Sequence, residues 1–372
     1  IALWRHRRHF AAPDLREYLI FSSIAICKIV CAEFLTATSL GLYSSTVNRQ
    51  YNQKQRAMSE TKMDRTKPQS EYIQPIVWRN VFLIGIFHII AFYALCCSFF
   101  ERKPLLLAWG ITVGVLSGIG VTAGAHRLWT HRAYKAKWPL RLILLAFYSI
   151  AGQNSIFDWV RDHRLHHQFS DTDCDPHNAT RGFFFSHVGW LMYRKHPSVI
   201  EKGRMIDMSD ILADPLVTFH SRYFNFIKIL LCFVFPVGIP IWLWNEDFYS
   251  SMLYIGILRY IIGLNCTWSV NSVAHIWGYK PYNKSISPAE NNFVALAAMG
   301  EGFHNYHHCF PWDYKAAELG FYSLNITTLF IDFFARIGWA YDLKTASDEM
   351  VKLRVIASGD GTHPSSTKEH LQ

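Results

Sequence analysis

The sequence predicts an all-α integral membrane protein: four transmembrane helices beneath a cytosolic helical cap, with the cap carrying a histidine-rich di-metal site. Three observations predict it. Four long apolar runs are joined by short turns or by one long basic stretch. Of the 372 residues, 51% are hydrophobic and 16% aromatic, which fits an embedded protein with a large polar portion. The pattern His-x-x-His-His occurs twice, as His163-Arg-Leu-His166-His167 and His304-Asn-Tyr-His307-His308.

The first span covers residues 76–100, long enough for the ~30 Å of hydrocarbon in a bilayer. Glu101-Arg-Lys-Pro turns the chain, and residues 105–125 return as a glycine-rich second span that delivers His126 at its end. Short turns make antiparallel neighbours. Residues 126–222 are polar and rich in Arg and Lys. Within them, residues 140–157 are apolar but interrupted at Gly152-Gln-Asn154, and read as a half-embedded helix. Residues 224–244 form the third span, kinked by Pro236 and Pro240, and residues 252–273 the fourth. The turn between them, residues 245–250, is acidic. Basic segments stay in the cytosol, so the histidines face that side. A weaker apolar run, 321–339, reads as lying along the membrane, and 345–372 as a polar, loosely ordered tail.

The spans and cap thus make one domain over residues 76–344, preceded by a polar segment at 58–75. Residues 1–57 read differently. They open on Ile1 and a basic cluster, and the apolar stretch 19–42 contains Lys28 and Glu33, charges that are costly at the centre of a bilayer. We expect this extension to be non-native or dispensable: a targeting segment, an interfacial helix, or translated sequence upstream of the true start.

The formal charge of +9 suits anionic lipid or a polyanionic ligand, and no nucleic-acid-binding module is present. The eight cysteines are scattered without a CxxC, so neither a disulfide framework nor a zinc finger is read.

On a helix, His163, His166 and His167 project from one face. Neutral imidazole is the commonest side-chain metal ligand. Of eighteen histidines, nine stand out: His126, His131, His163, His166, His167, His275, His304, His307 and His308. Nine exceed the four ligands of one zinc ion, so two metals are implied. By softness alone iron, zinc, copper and nickel all fit. His163 and His167 lie one turn apart and can share an ion with His126 and His131, while His166, displaced around the helix, would face the second ion. His126 and His131 are five residues apart, about 140° around an α-helix, so the helix should end or unwind between them. Asn271 shares a face with His275 one turn later. His88, on the first span, reads as a satisfied intramembrane histidine rather than a ligand.

The boxes His126-Arg-Leu-Trp-Thr-His131, His163-Arg-Leu-His166-His167 and His304-Asn-Tyr-His307-His308 resemble those of the membrane acyl-CoA desaturases of the stearoyl-CoA Δ9 type. The connecting motifs are similar too: Gly-Ile-Gly-Val-Thr-Ala-Gly-Ala before the first box, Asp175-Pro-His-Asn after the second and Gly300-Glu-Gly-Phe before the third. The resemblance runs from about residue 72 to about 344. It implies two iron ions and O₂ as cosubstrate. On the family pattern His126, His131, His163, His167 and His307 hold one iron. His166, His275, His304 and His308 hold the other, with Asn271 through water. It further implies a long-chain acyl-CoA contacted by Asn80, Asn154, Arg161, Asp162, Arg194, Lys195 and Trp268. Electrons are implied to come from cytochrome b5 and its NADH-dependent reductase at the endoplasmic reticulum membrane.

Two positions depart from the family. Gly114 and Gly118, one turn apart on the second span, stand where stearoyl-CoA desaturases carry larger side chains at the closed end of the acyl tunnel. Either the tunnel runs deeper, or a neighbouring helix or another side chain fills the space. The competing functions are desaturation at another position, a histidine-box hydroxylase, and a zinc hydrolase or receptor. The last is disfavoured because a hydrolase needs only three ligands and an open position.

Overall fold

The computed structural model describes residues 72–318 and 322–367; the expectations for residues 1–57, and for 58–75 as far as residue 71, lie outside them. The described chain is helical, and four helices are long and apolar enough to cross a membrane: α1 (Trp78–Ser98), α2 (Pro104–Thr130), α5 (Phe224–Trp244) and α6 (Phe248–Ile276). The protein is therefore a multi-pass membrane protein. Pro104 starts α2, where its missing N–H costs nothing. The two short turns meet at one end of the spans. Lys103 bonds Glu246, Asp247 and Ser250 there, and Tyr254 bonds Glu101.

Two prolines interrupt α5, and their consequences are repaired by side chains. Pro236 cannot donate to Cys232 O, nor Pro240 to Pro236 O. Arg259 Nη2 donates to Cys232 O at 2.6 Å, and Trp109 Nε1 to Pro236 O at 2.9 Å. Arg259 also donates to Ile150 O and Ile255 O. A buried guanidinium within the spans is thus satisfied by carbonyls that would otherwise be orphaned in hydrocarbon.

The segment read as one half-embedded helix is two. α3 (Trp138–Ala151) and α4 (Ile156–Phe169) meet at 85°. Gly152 ends α3 in the left-handed conformation (φ +60°), and Ser155 caps α4 by accepting from Asp158 N. This corner turns the second histidine box back toward the first. α3 crosses α2 at Gly120, where a Cβ would lie only 2.1 Å from Tyr148 N, so no side chain fits.

Beyond the spans lie α7 (Asn292–Ala297), α8 (His304–Cys309), α9 (Ile326–Arg336) and α10 (Asp348–Ser358). A two-residue antiparallel pairing of β1 (Lys135–Ala136) with β2 (Ala340–Tyr341) fastens the chain after the first box to the end of α9. In α9, Thr327, Thr328, Ile331 and Phe334 point inward, while Ile326, Leu329 and Phe333 are exposed, the arrangement of an interfacial helix. The C-terminal stretch departs from expectation. α10 buries Val351 and Val355 against Tyr282, Tyr306 and Phe310, and Ser358 Oγ donates to Tyr282 O. One valine pair a turn apart among charged neighbours is too narrow a stripe to read as a packed helix.

Candidate metal centre

The first box lies where α2 widens. Over Gly120–Thr130 the helix takes π geometry, and His131 N bonds His126 O, five residues back. The helix does unwind there, as α-geometry required, into the wider π form. Widening it returns residues five apart to one face and brings the two rings to a centroid distance of 4.8 Å. The second box occupies the last turns of α4. The third is the six-residue α8, held by its own non-histidine members. Asn305 accepts from Tyr282 N and Asn283 N and donates to Pro288 O, and Tyr306 OH donates to Asp313.

Ring nitrogens of His126, His131, His163, His167 and His307 all lie within 4.8 Å of one another, and those of His166, His275, His304 and His308 do likewise. Nε2 of His307 sits 3.0 Å from Nε2 of both His126 and His167, and Nε2 of His304 sits 3.0 Å from that of His275 and 3.1 Å from that of His308. Nε2 of His131 and of His166 is buried without a protein partner.

Carboxylates stand behind three of the rings. His126 Nδ1 is 2.7 Å from Glu301, His166 Nδ1 2.9 Å from Asp175, and His275 Nδ1 3.2 Å from Asp171. A proton on each Nδ1 leaves the Nε2 lone pair facing its group. Lone pairs converging at 3 Å repel unless a cation lies between them, so the donor set fits two metal ions. Burial, and then the neighbouring rings, push His131, His163, His167, His304, His307 and His308 well below the usual imidazole range. These rings are neutral and able to coordinate at neutral pH. His166 goes the other way. Burial opposes its charge, but the Asp175 carboxylate outweighs burial.

The family model for fatty acid desaturases matches residues 102–324, more than half of the chain. The chain is 56% identical over 297 residues to an acyl-CoA Delta-9 desaturase of Acheta domesticus, covering 80% of this chain and 83% of that one. It is 54% identical over 289 residues to stearoyl-CoA desaturase 5 of Bos taurus, covering 78% and 86%. It is 52% identical over 288 residues to an acyl-CoA Delta(11) desaturase of Spodoptera littoralis, covering 77% and 85%. The chain belongs to the fatty acid desaturase family.

In this acyl-CoA desaturase a cavity of about 340 Å³ starts at His126, His163 and His304 and runs between α2 and α6 as far as Leu106 and Tyr254. Its lining is almost wholly apolar. The polar exceptions near the imidazoles include Asn271, one turn before His275, and a chain in which Trp159 Nε1 donates to Gln153 and Gln153 Nε2 to Thr267, each at 2.9 Å.

Five of the seven positions implied for acyl-CoA fall into two sets, joined where Arg194 precedes Lys195. Asp162 joins Lys195 and Arg161, whose guanidinium also pairs with Asp158. Asn80 donates to Leu191 O, and Arg194, exposed, is fixed through its backbone to Pro75 and Gln74. Asn154 lies in the corner between α3 and α4 and accepts from Tyr148 OH through its carbonyl. Trp268 is buried between His88 and His187 and, like the other implied acyl-CoA positions, does not border the cavity. The reason lies in the helix. Trp268 follows Thr267 by one residue, about 100° away from the cavity face. His88 is satisfied by Ile84 O and Asn265.

The two glycines separate. A Cβ on Gly114 would meet nothing within 4 Å, whereas one on Gly118 would lie 2.9 Å from Met299 Sδ and 2.7 Å from its Cε. Another side chain fills the second space and leaves the first open. Sequence reasoning gave no role to Asp171, Gln153, Trp159, Thr267 or Met299. Asp175 and Glu301 sat in motifs that carried the resemblance, and only the fold shows what they touch.

Proposed function

We propose that this desaturase is an O₂-dependent di-iron enzyme that inserts a cis double bond at Δ9 of a saturated long-chain acyl-CoA. Its electrons come from cytochrome b5 and the NADH-dependent reductase at the endoplasmic reticulum membrane. The observation that carries this reading is the convergence of nine imidazoles, in two groups, at the mouth of an apolar cavity. Removing hydrogen from unactivated methylenes needs a redox metal, which zinc is not. Iron in the two groups, with O₂ and two electrons, supplies the oxidant.

The chain's own residues do the rest. Glu301, Asp171 and Asp175 fix the tautomer and orientation of His126, His275 and His166. Asn271, one turn before His275, would help to hold the metal of the second group. The Trp159–Gln153–Thr267 chain makes a rigid wall beside the imidazoles, and the apolar cavity excludes water from the oxidant. Arg161, Arg194 and Lys195 recognise CoA phosphates, with Asp162 holding two of them in place and Asn80 and Asn154 adding hydrogen bonds. The basic segment 126–222 faces the cytosol and suits an acidic electron carrier.

Support for Δ9 comes from the Acheta Delta-9 enzyme, and the Spodoptera Delta(11) enzyme is nearly as similar, so regiochemistry is the part to test. Expression in desaturase-deficient yeast, followed by location of the double bond in the extracted acids, does so. A Δ9 monoene is expected; a Δ11 product refutes the position, and a hydroxy acid refutes desaturation. Metal analysis of an active preparation should find iron, and stoichiometric zinc without iron overturns the redox reading.

A further inference from the structure

α6 ends beside His275 and α8 carries His304 and His308, so these two helices supply three of the four imidazoles of the second group. The segment 289–291 is tied to both. Ala289 N donates to Ala274 O at 2.7 Å, next to His275, and Asn291 N donates to Gly302 O at 2.8 Å, two residues before His304. Between them, Glu290 N donates to Tyr279 O at 2.7 Å and Glu290 O accepts from Tyr279 N at 3.2 Å. The backbone at Glu290 is therefore pinned from three directions. The approach is close: a Cβ on Gly278 would lie 2.2 Å from Glu290 O, and one on Gly302 would lie 2.3 Å from Asn291 O.

From this position the Glu290 side chain reaches α8. That helix has six residues, and Phe303 at its N-cap offers no side-chain acceptor. A capping side chain normally accepts from the second or third N–H of its helix, here those of Asn305 and Tyr306. Glu290 Oε1 accepts from Tyr306 N at 2.7 Å, and the carboxyl also accepts from Asn305 N. The cap thus comes from sixteen residues away in the chain. It matters because α8 has little else to orient its rings. Glu301, Asp175 and Asp171 stand behind His126, His166 and His275. Among the described residues no carboxylate backs His304 or His307, so the backbone of α8 sets their direction.

We propose that Glu290 is a positioning residue for the metal centre: as the cap of α8, anchored to the end of α6, it sets His304 and His308 against His275. The inference rests on the two-metal reading. The role asks for an acceptor oxygen and not for a charge. Burial, with Glu318 adding to it, pushes the Glu290 carboxyl up to about 8 against its two backbone bonds, so a neutral side chain with the same oxygen can replace it. Glu301 is the opposite case, since it lies between the Arg127 guanidinium and His126 and its charge is used.

The test compares the full chain as wild type, Glu290→Gln and Glu290→Met, each purified in detergent from cells grown with iron. Bound metal per protein and melting temperature are measured together. The wild type should hold about two ions, and the glutamine variant should match it because its amide oxygen accepts the same bonds. Methionine keeps the volume and offers no oxygen. Its metal content should fall to about one ion, because α8 gives the second group two of four ligands and the first group one of five. A methionine variant with full metal overturns the assignment, as does a glutamine variant that loses as much. A methionine variant that loses both ions together with its melting transition overturns it as well, since that is a general loss of fold. If the methionine variant is not recovered from the membrane, the glutamine variant carries the test, wild-type metal content supporting the acceptor role and loss refuting it. Wild-type protein that holds fewer than two ions overturns the two-metal reading and the proposal with it.

Discussion

Glu301 Oε2 stands 2.7 Å from Nδ1 of His126, and its other oxygen takes two bonds from Arg127 Nε and Nη2 at 3.1 and 3.0 Å. Arg127 is itself buried and donates onward to Tyr314 O, Lys315 O, Thr328 and Asn325. One carboxylate therefore connects the first histidine box, through an arginine, to the segment that follows the third. Glu301→Gln keeps the shape but removes the charge that directs the His126 proton. Loss of such a partner typically costs about 10–100-fold in metal affinity or activity. Bound metal per protein and turnover should both fall in that range, and a variant with full metal and full turnover would show that Glu301 only packs.

Removal of His275 tests the second group separately. Its Nδ1 faces Asp171 and its Nε2 faces His304, at the end of α6 and outside the apolar middle of that span. His275→Ala should insert into the membrane normally and yield no unsaturated product in desaturase-deficient yeast. Wild-type product levels from that strain would remove His275 from the proposed ligands.

Much of this site was legible in the sequence, because spacing on a helix is local information. His163, His166 and His167 share a face in any α-helix, and their placement needed no tertiary contact. The pair His126 and His131 was placed on one ion with a break in α-geometry expected between them, but the sequence does not announce that the break is a π-widened turn. Asp171 was invisible for another reason. It reaches His275 across 104 residues, and no local pattern marks a carboxylate that will back a ring on another helix. The prolines of α5 were seen as kinks, while their repair by Arg259 and Trp109 depends on neighbours fixed only by packing. α10 was missed because its buried face is a single valine pair.

Arg259 carries a stability prediction from that repair. Arg259→Met keeps an apolar side chain of similar length but leaves Cys232 O and Ile150 O without their donors. Each buried carbonyl left unsatisfied costs about 1–3 kcal/mol. The melting temperature in detergent should drop by at least about 5 °C, and Arg259→Lys should recover part of the loss. A methionine variant that melts with the wild type would mean that water or a local shift satisfies both carbonyls.

The proposed CoA surface gives a kinetic prediction. Lys195 pairs with Asp162, and Arg194 is exposed beside it. The double variant Arg194→Ala, Lys195→Ala should raise the apparent KM for acyl-CoA about tenfold with little change in kcat, since these groups bind the head far from the reacting carbons. Unchanged rates at subsaturating acyl-CoA would exclude both from the head-group site.

Gly118 and Met299 make the sharpest case for chain selection. Met299 lies in the segment just before the third box, with its backbone in the left-handed region (φ 56°), uncommon for a residue with a side chain. Its carbonyl is fixed by Thr327, which donates from both N and Oγ1. The side chain is thereby aimed at α2, where its Sδ and Cε occupy the space a side chain at position 118 would take. Both residues border the cavity. Gly118→Ile must therefore push a flexible thioether aside, and the displaced atoms narrow the cavity two turns from His126. Selectivity should move toward shorter acyl chains, by up to severalfold per carbon since each buried methylene contributes up to about 0.8 kcal/mol. Met299→Ala alone should move it the opposite way by opening the same space. The double variant Gly118→Ile, Met299→Ala should return close to the wild-type product profile, because two residues that compete for one volume do not act additively. Profiles from the three strains, compared at equal expression, decide it. If the shifts in the double variant simply add, the two side chains do not share the space, and Gly118 matters for the packing of α2 alone.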